Sequence, residues 1–111
     1  MKKYTETHEW IQVEGDIGTV GITDHAQKEL GAIVYVELPK VGAQVKNGEE
    51  AAVLESTKAA ADVYSPVSGV IEKVNSALND DSELVNRSAE KEGWLFQIKL
   101  SNPEELNALK D

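Results

Sequence analysis

Apolar residues along the chain fall in short runs broken by glycine, proline and asparagine, which is the rhythm of an all-β chain. Trp10 to Val13 and Ile17 to Ile22 flank Glu14-Gly15-Asp16 and predict a hairpin. Thr23 to Leu30 reads as the first helix. Thr23 or Asp24 caps its start, Ile22, Ala26 and Leu30 share a face, and Gly31 stands where a left-handed C-terminal residue belongs. The β-branched and aromatic run Ile33-Val34-Tyr35-Val36 is a strand that Pro39 ends, and Lys46-Asn47-Gly48 is a turn. Glu49 to Asp62 is ambiguous, and its Ala, Glu, Leu and Lys content predicts helix by propensity.

Further on, Val63-Tyr64 and Val70 to Val74 read as strands on either side of a break at Ser65-Pro66. Asn79-Asp80-Asp81-Ser82 reads as a loop leading into a short helix at Glu83 to Asn86, and Gly93 opens a final strand, Trp94 to Leu100. Asn102 is placed to cap a terminal helix with Pro103 at its first position, Glu105 completing a capping box, and Leu106 and Leu109 facing inward. Pro39-x-x-Gly42 and Pro66-x-x-Gly69 lie 27 residues apart, each after an apolar run, and leave duplication and chance equally open.

A length of 111 residues fits one domain with one core. With 20 acidic against 11 basic residues the net charge is −9, and the single arginine, Arg87, sits among scattered lysines. That balance argues against nucleic acid, whose phosphates need clustered positive charge. The absence of cysteine removes disulfides, thiolate catalysis and Cys-ligated metals. Met1 to Glu6 carries two lysines with no apolar stretch behind them, and no segment approaches a membrane span. The expectation is a cytoplasmic, monomeric protein that meets other proteins or small molecules.

Catalytic constellations mostly fail. His8-Glu9-Trp10-Ile11-Gln12 lacks the second histidine of a zinc helix, and His25 is too isolated in sequence to supply it. Gly15, Gly18 and Gly21 lack the lysine of a phosphate cradle, and no serine stands in a nucleophile elbow. Lys58 differs. It lies in Glu55-Ser56-Thr57-Lys58-Ala59-Ala60-Ala61-Asp62, where small neighbours leave its amine accessible to a modifying enzyme. The competing reading is a solvated lysine on an alanine-rich helix. A Schiff-base role would need a desolvating pocket that small surface residues do not build.

Taken together, several segments resemble the H proteins of the glycine cleavage system, a family of lipoyl carriers. They are His8-Glu9-Trp10, Val20 to Gln27, Leu30-Gly31 with Val34 to Pro39, Glu55-Ser56-Thr57-Lys58-Ala59, Asp62 to Gly69, and Gly93-Trp94-Leu95. The resemblance implies a mainly β fold, the lipoyl-domain barrel-sandwich of two related sheets, with short peripheral helices near 23–31 and at the C-terminus. It implies a strand at 49–55, a turn at 56–59 and a return strand at 60–64, against the helix that propensity favours. It makes residues 1–111 one lipoyl-binding domain, with lipoic acid attached as an amide to Lys58. It also implies an arm-parking cleft involving Glu9, Asp62 and Thr7. Expected partners are glycine decarboxylase with pyridoxal phosphate, aminomethyltransferase with tetrahydrofolate, dihydrolipoyl dehydrogenase with FAD and NAD, and a lipoate ligase or lipoyltransferase.

On this resemblance the chain carries an aminomethyl group between those enzymes and is not itself an enzyme; the cofactor supplies the sulfur chemistry that a cysteine-free chain lacks. The alternative is a lipoyl relay that donates lipoate to 2-oxo-acid dehydrogenase complexes. A biotin carrier is disfavoured because Thr57 and Ala59, not methionines, flank Lys58. Two departures stand out: Thr57 replaces the family's usual valine, and relatives continue through a further C-terminal helix beyond the position of Asp111.

Overall fold

In the computed structural model, which describes residues 2–111, the chain forms two antiparallel sheets that do not close into a barrel. Along the sequence run β1 (Lys2–Tyr4), β2 (Glu9–Glu14), β3 (Ile17–Ile22), α1 (Asp24–Leu30), β4 (Ile33–Glu37), β5 (Gln44–Val45) and β6 (Glu50–Ser56). Then follow β7 (Ala60–Tyr64), β8 (Gly69–Val74), α2 (Ala77–Asp80), α3 (Leu84–Arg87), β9 (Phe96–Leu100) and a 3₁₀ segment at Pro103–Ala108. One sheet has the order β1-β2-β3-β9-β8-β5, the other β4-β6-β7.

The sheets bury their inner faces in two clusters, with Ile22 of β3 joining the one built on the three-stranded sheet. Ile11, Val20, Phe96 and Ile98 anchor the first, and Ile33, Leu54, Val63, Leu78 and Leu95 the second. Side chains this fully buried contribute about 1.5–3 kcal/mol each, which sets the strand register.

The predicted hairpin forms, with Glu14 opposite Ile17 and Gly15 at φ 62° in the link. Helix α1 also forms where predicted: the Thr23 side chain accepts from the Ala26 amide, and Gly31 ends the helix at φ 81°. Both Pro-x-x-Gly units mark places where the chain leaves the three-stranded sheet, after β4 and after β7, to enter the paired strands β5 and β8.

The helix favoured by propensity at 49–62 does not form. Ala52 and Leu54 alternate inward along β6 and Val63 does so on β7, so burial repeats every two residues. Their burial outweighs a propensity difference of at most about 0.7 kcal/mol per residue. The loop expected at 79–82 is partly helical, because α2 tucks Leu78 into the core. The last strand begins two residues later than read: Trp94 and Leu95 are held by Asn75 and Val20 instead of by ladder pairs. At the end of the chain Asn102 does cap its segment, accepting from the Glu104 amide, but the turn is 3₁₀. Glu105 makes no capping box; its carboxylate accepts from the Ser68 amide at 2.7 Å and the Ser68 hydroxyl at 2.8 Å. Leu106 is buried as expected.

Candidate functional site: the Lys58 hairpin

Strands β6 and β7 pair from Glu50 opposite Tyr64 to Glu55 opposite Ala60, so residues 56–59 form the protruding link. Ser56 closes it. The Ser56 hydroxyl accepts from the Lys58 and Ala59 amides at 3.1 Å each, and the Ser56 amide donates to the Ala59 carbonyl at 2.8 Å. This is the local side-chain turn chemistry that serine favours. Thr57, Lys58, Ala59 and Ala60 are exposed. Lys58 takes no part in the ion pairs found among the described residues, whereas Lys2, Lys3, Lys28 and Lys110 each face a carboxylate. Its methylene stem rests on Gly31, where a Cβ would stand 3.3 Å from the lysine Cε.

Along β7, Ala61 and Val63 turn inward while Ala60, Asp62 and Tyr64 face solvent. The strand rises about 13 Å from residue 60 to residue 64. At its far end lies a cleft of about 250 Å³ lined by Thr7, Glu9, Tyr64 and Pro66 among others. Glu9 is buried, and its carboxylate accepts from the Thr5 and Thr7 hydroxyls and, at 3.3 Å, from the Tyr64 amide. A carboxylate offers about four lone-pair positions, so these three donors leave room for one more. The residues preceding Glu9 turn tightly, with His8 at φ 69°, a left-handed conformation that is uncommon outside glycine.

Of the candidate residues, the structure brings Thr7 and Glu9 together. Asp62 does not line their cleft; it sits exposed two residues along β7, between the cleft and the tip. The isolation of His25 is corrected: its ring packs against that of His8, with centroids 4.7 Å apart, and its Nε2 lies 3.4 Å from Glu29. Among the described residues no group of three or more His, Cys, Asp or Glu side chains is placed to hold a metal ion. Sequence reading missed Ser56 as the turn former, although serine hydroxyls favour local side-chain turns of this kind. It also missed the bond from the Thr57 amide to the Ala32 carbonyl at 3.1 Å, for which no sequence signal exists.

An exposed lysine on the tip of a β-hairpin, in an open two-sheet fold with a small polar cleft down the same strand, is an arrangement that suits the carrier class of protein. Comparisons with known proteins give this class its family. A sequence model described as glycine cleavage H-protein matches residues 2–111. A glycine cleavage system H protein from Thermotoga maritima is 56% identical over 111 residues, covering 100% of this chain and 90% of the relative. One from Stenotrophomonas maltophilia is 58% identical over 110 residues, covering 98% of this chain and 84% of the relative. Among solved structures, a crystal structure of a glycine cleavage system H protein from Mycobacterium marinum superposes with a TM-score of 0.85. It is 38% identical, and the match covers 90% of this chain and 84% of that one. The chain belongs to the glycine cleavage H-protein family, and its role is that of a lipoyl carrier in the glycine cleavage system.

Proposed function

We propose that Lys58 is the residue that carries the lipoyl group, and that the 111 residues act as one non-catalytic carrier domain. The observation that carries this reading is the presentation of Lys58: a solvent-facing amine at the apex of a hairpin, flanked by exposed small residues and free of an acidic partner among the described residues. The residues fit the group. Alanines 59 and 60 leave the approach to Nζ open, and acylation exchanges a cation for a neutral amide without breaking an ion pair. When bound, the lipoyl group supplies a dithiolane that opens to accept the aminomethyl carbon of glycine and is later reoxidised.

The protein's contribution is position. Ser56 fixes the direction in which the tip leaves the sheet, and a group tethered there reaches partner sites at high effective concentration. Partners of matching chemistry are glycine decarboxylase, aminomethyltransferase and dihydrolipoyl dehydrogenase, with a lipoate ligase or lipoyltransferase for loading. Asp62 lies exposed along the outer face of β7, and Glu9 retains one open lone-pair position beyond it. A cationic amine on an arm laid back along β7 would meet Asp62 first and Glu9 next, with Thr7 holding the Glu9 carboxylate in place.

Intact mass after incubation with lipoate, ATP and a lipoate ligase tests the assignment. The wild-type chain gains one lipoyl group and loses one positive charge, and Lys58→Arg gains no lipoyl group. Modification of the arginine variant at another lysine overturns it.

A further inference from the structure

We infer that Asn86 is a positioning residue for the Lys58 tip, acting through the link between α1 and β4. This rests on the reading of Lys58 as the lipoyl acceptor. The tip reaches outside its own hairpin through the Thr57 amide, which donates to the Ala32 carbonyl at 3.1 Å. Ala32 has its two neighbours held by one side chain. Asn86 accepts from the Ile33 amide at 2.9 Å and donates to the Gly31 carbonyl at 2.8 Å. Its amide nitrogen also donates to Gln27 Oε1 at 3.0 Å, tying the same side chain to the last turn of α1.

The clamp is needed because Gly31, at φ 81° and ψ −161°, lies in a backbone region that essentially only glycine visits. A link with that freedom does not hold its own shape. Gly31 is also the surface on which the Lys58 stem rests. Asn86 itself is half-buried on α3 and remote in sequence from the tip. It therefore fixes the platform under the lysine and leaves the chemistry of the amine alone. That separation predicts an effect on how well a modifying enzyme captures the tip, and none on how fast it acylates a captured lysine.

Ser82 provides the control. Its hydroxyl donates to the Ile33 carbonyl at 2.8 Å, on the side of Ile33 away from Ala32, so it supports β4 without bracketing the platform. The experiment compares the 111-residue apo chain with Asn86→Ala, Asn86→Asp and Ser82→Ala. Each is measured for amide hydrogen exchange at Thr57, for thermal stability, and for KM and kcat of the apo chain with lipoate ligase. Asn86→Asp keeps the side-chain shape and the acceptor for Ile33 while removing both donors, so it reads the clamp if the alanine variant does not fold.

Loss of two donated hydrogen bonds is expected to speed Thr57 exchange about tenfold and raise KM about tenfold with kcat unchanged. Ser82→Ala should leave Thr57 exchange and KM at wild-type values whatever it costs in stability. Wild-type exchange and KM in both Asn86 variants overturn the inference, as does an equal effect from Ser82→Ala. If the wild-type chain itself gains no lipoyl group, the reading of Lys58 fails, and Thr57 exchange still decides the role of Asn86.

Discussion

The two hairpins β2–β3 and β6–β7 share a plan and differ at their turns. The first keeps its register without a slip from Glu9 opposite Ile22 to Glu14 opposite Ile17, and a single left-handed glycine turns it. The second shifts register between Glu50 and Ala52, and among the described residues its link has no positive φ. Serine hydrogen bonds within the turn and a bond to Ala32 outside the hairpin hold that link instead. A turn encoded in two adjacent residues needs nothing from the rest of the fold. The Lys58 tip takes its shape from residues spread across the sequence.

The largest effects should be the ones the hairpins have in common. Ile11 and Leu54 are fully buried on β2 and β6, so Ile11→Ala and Leu54→Ala should each cost about 2–5 kcal/mol in chemical denaturation. A far smaller loss at Leu54 would mean that the second hairpin is loose along its whole length, breaking the contrast between strands and turn. Gly15→Ala comes next. Nothing lies within 4 Å of the added Cβ, so the cost is backbone strain alone, about 1–2 kcal/mol, with no change at the Lys58 tip. Ser56→Ala removes the acceptor of the Lys58 and Ala59 amides, costs about 1 kcal/mol, and should speed exchange at those amides while the register of β6 and β7 persists.

The smallest effect is that of pH on α1, whose last turn leads through Gly31 to Ala32, the acceptor of the Thr57 amide at the Lys58 tip. Asp24 accepts from the Gln27 side chain and pairs with Lys28, and both hold its carboxyl below the usual carboxylate range. Its contribution is therefore full above the ordinary Asp value and is lost as pH falls through the lower folded value. Acidification should loosen Thr57 ahead of Ile17 in amide exchange, and Asp24→Asn should flatten that difference.

Much of this was legible in the sequence because it is local. Gly15 between alternating runs, Thr23 ahead of Ala26 and Gly31 after Leu30 each specify geometry within a few residues. Glu49 to Asp62 was not, since composition there favours helix and only the burial of Leu54 and Val63 against distant strands decides for β. The resemblance to known carriers corrected that segment because it carried the tertiary context in pattern form. It also marked Lys58, but it gave no sign of Asn86, whose bonds to Gly31 and Ile33 join positions more than 50 residues apart. Glu105 misled in the opposite way: it matched a local rule, yet Ser68 offered its carboxylate a better pair of donors.

Tyr4 and Lys110 form an isolated bridge, exchanging amide-to-carbonyl hydrogen bonds of 2.7 and 2.9 Å. Mechanically, a pull applied across these two positions is borne first by that pair of bonds and then by the bonds from Ser68 to Glu105, which hold the 3₁₀ segment beside the start of β8. The Lys58 hairpin belongs to the other sheet, yet the far end of its strand β7 lines the same cleft as Tyr4 and Lys110. Tension at the tip is carried along β6 and β7 toward that cleft, so the hairpin that bears Lys58 and the bridge that closes the two ends of the chain meet at one place in the fold.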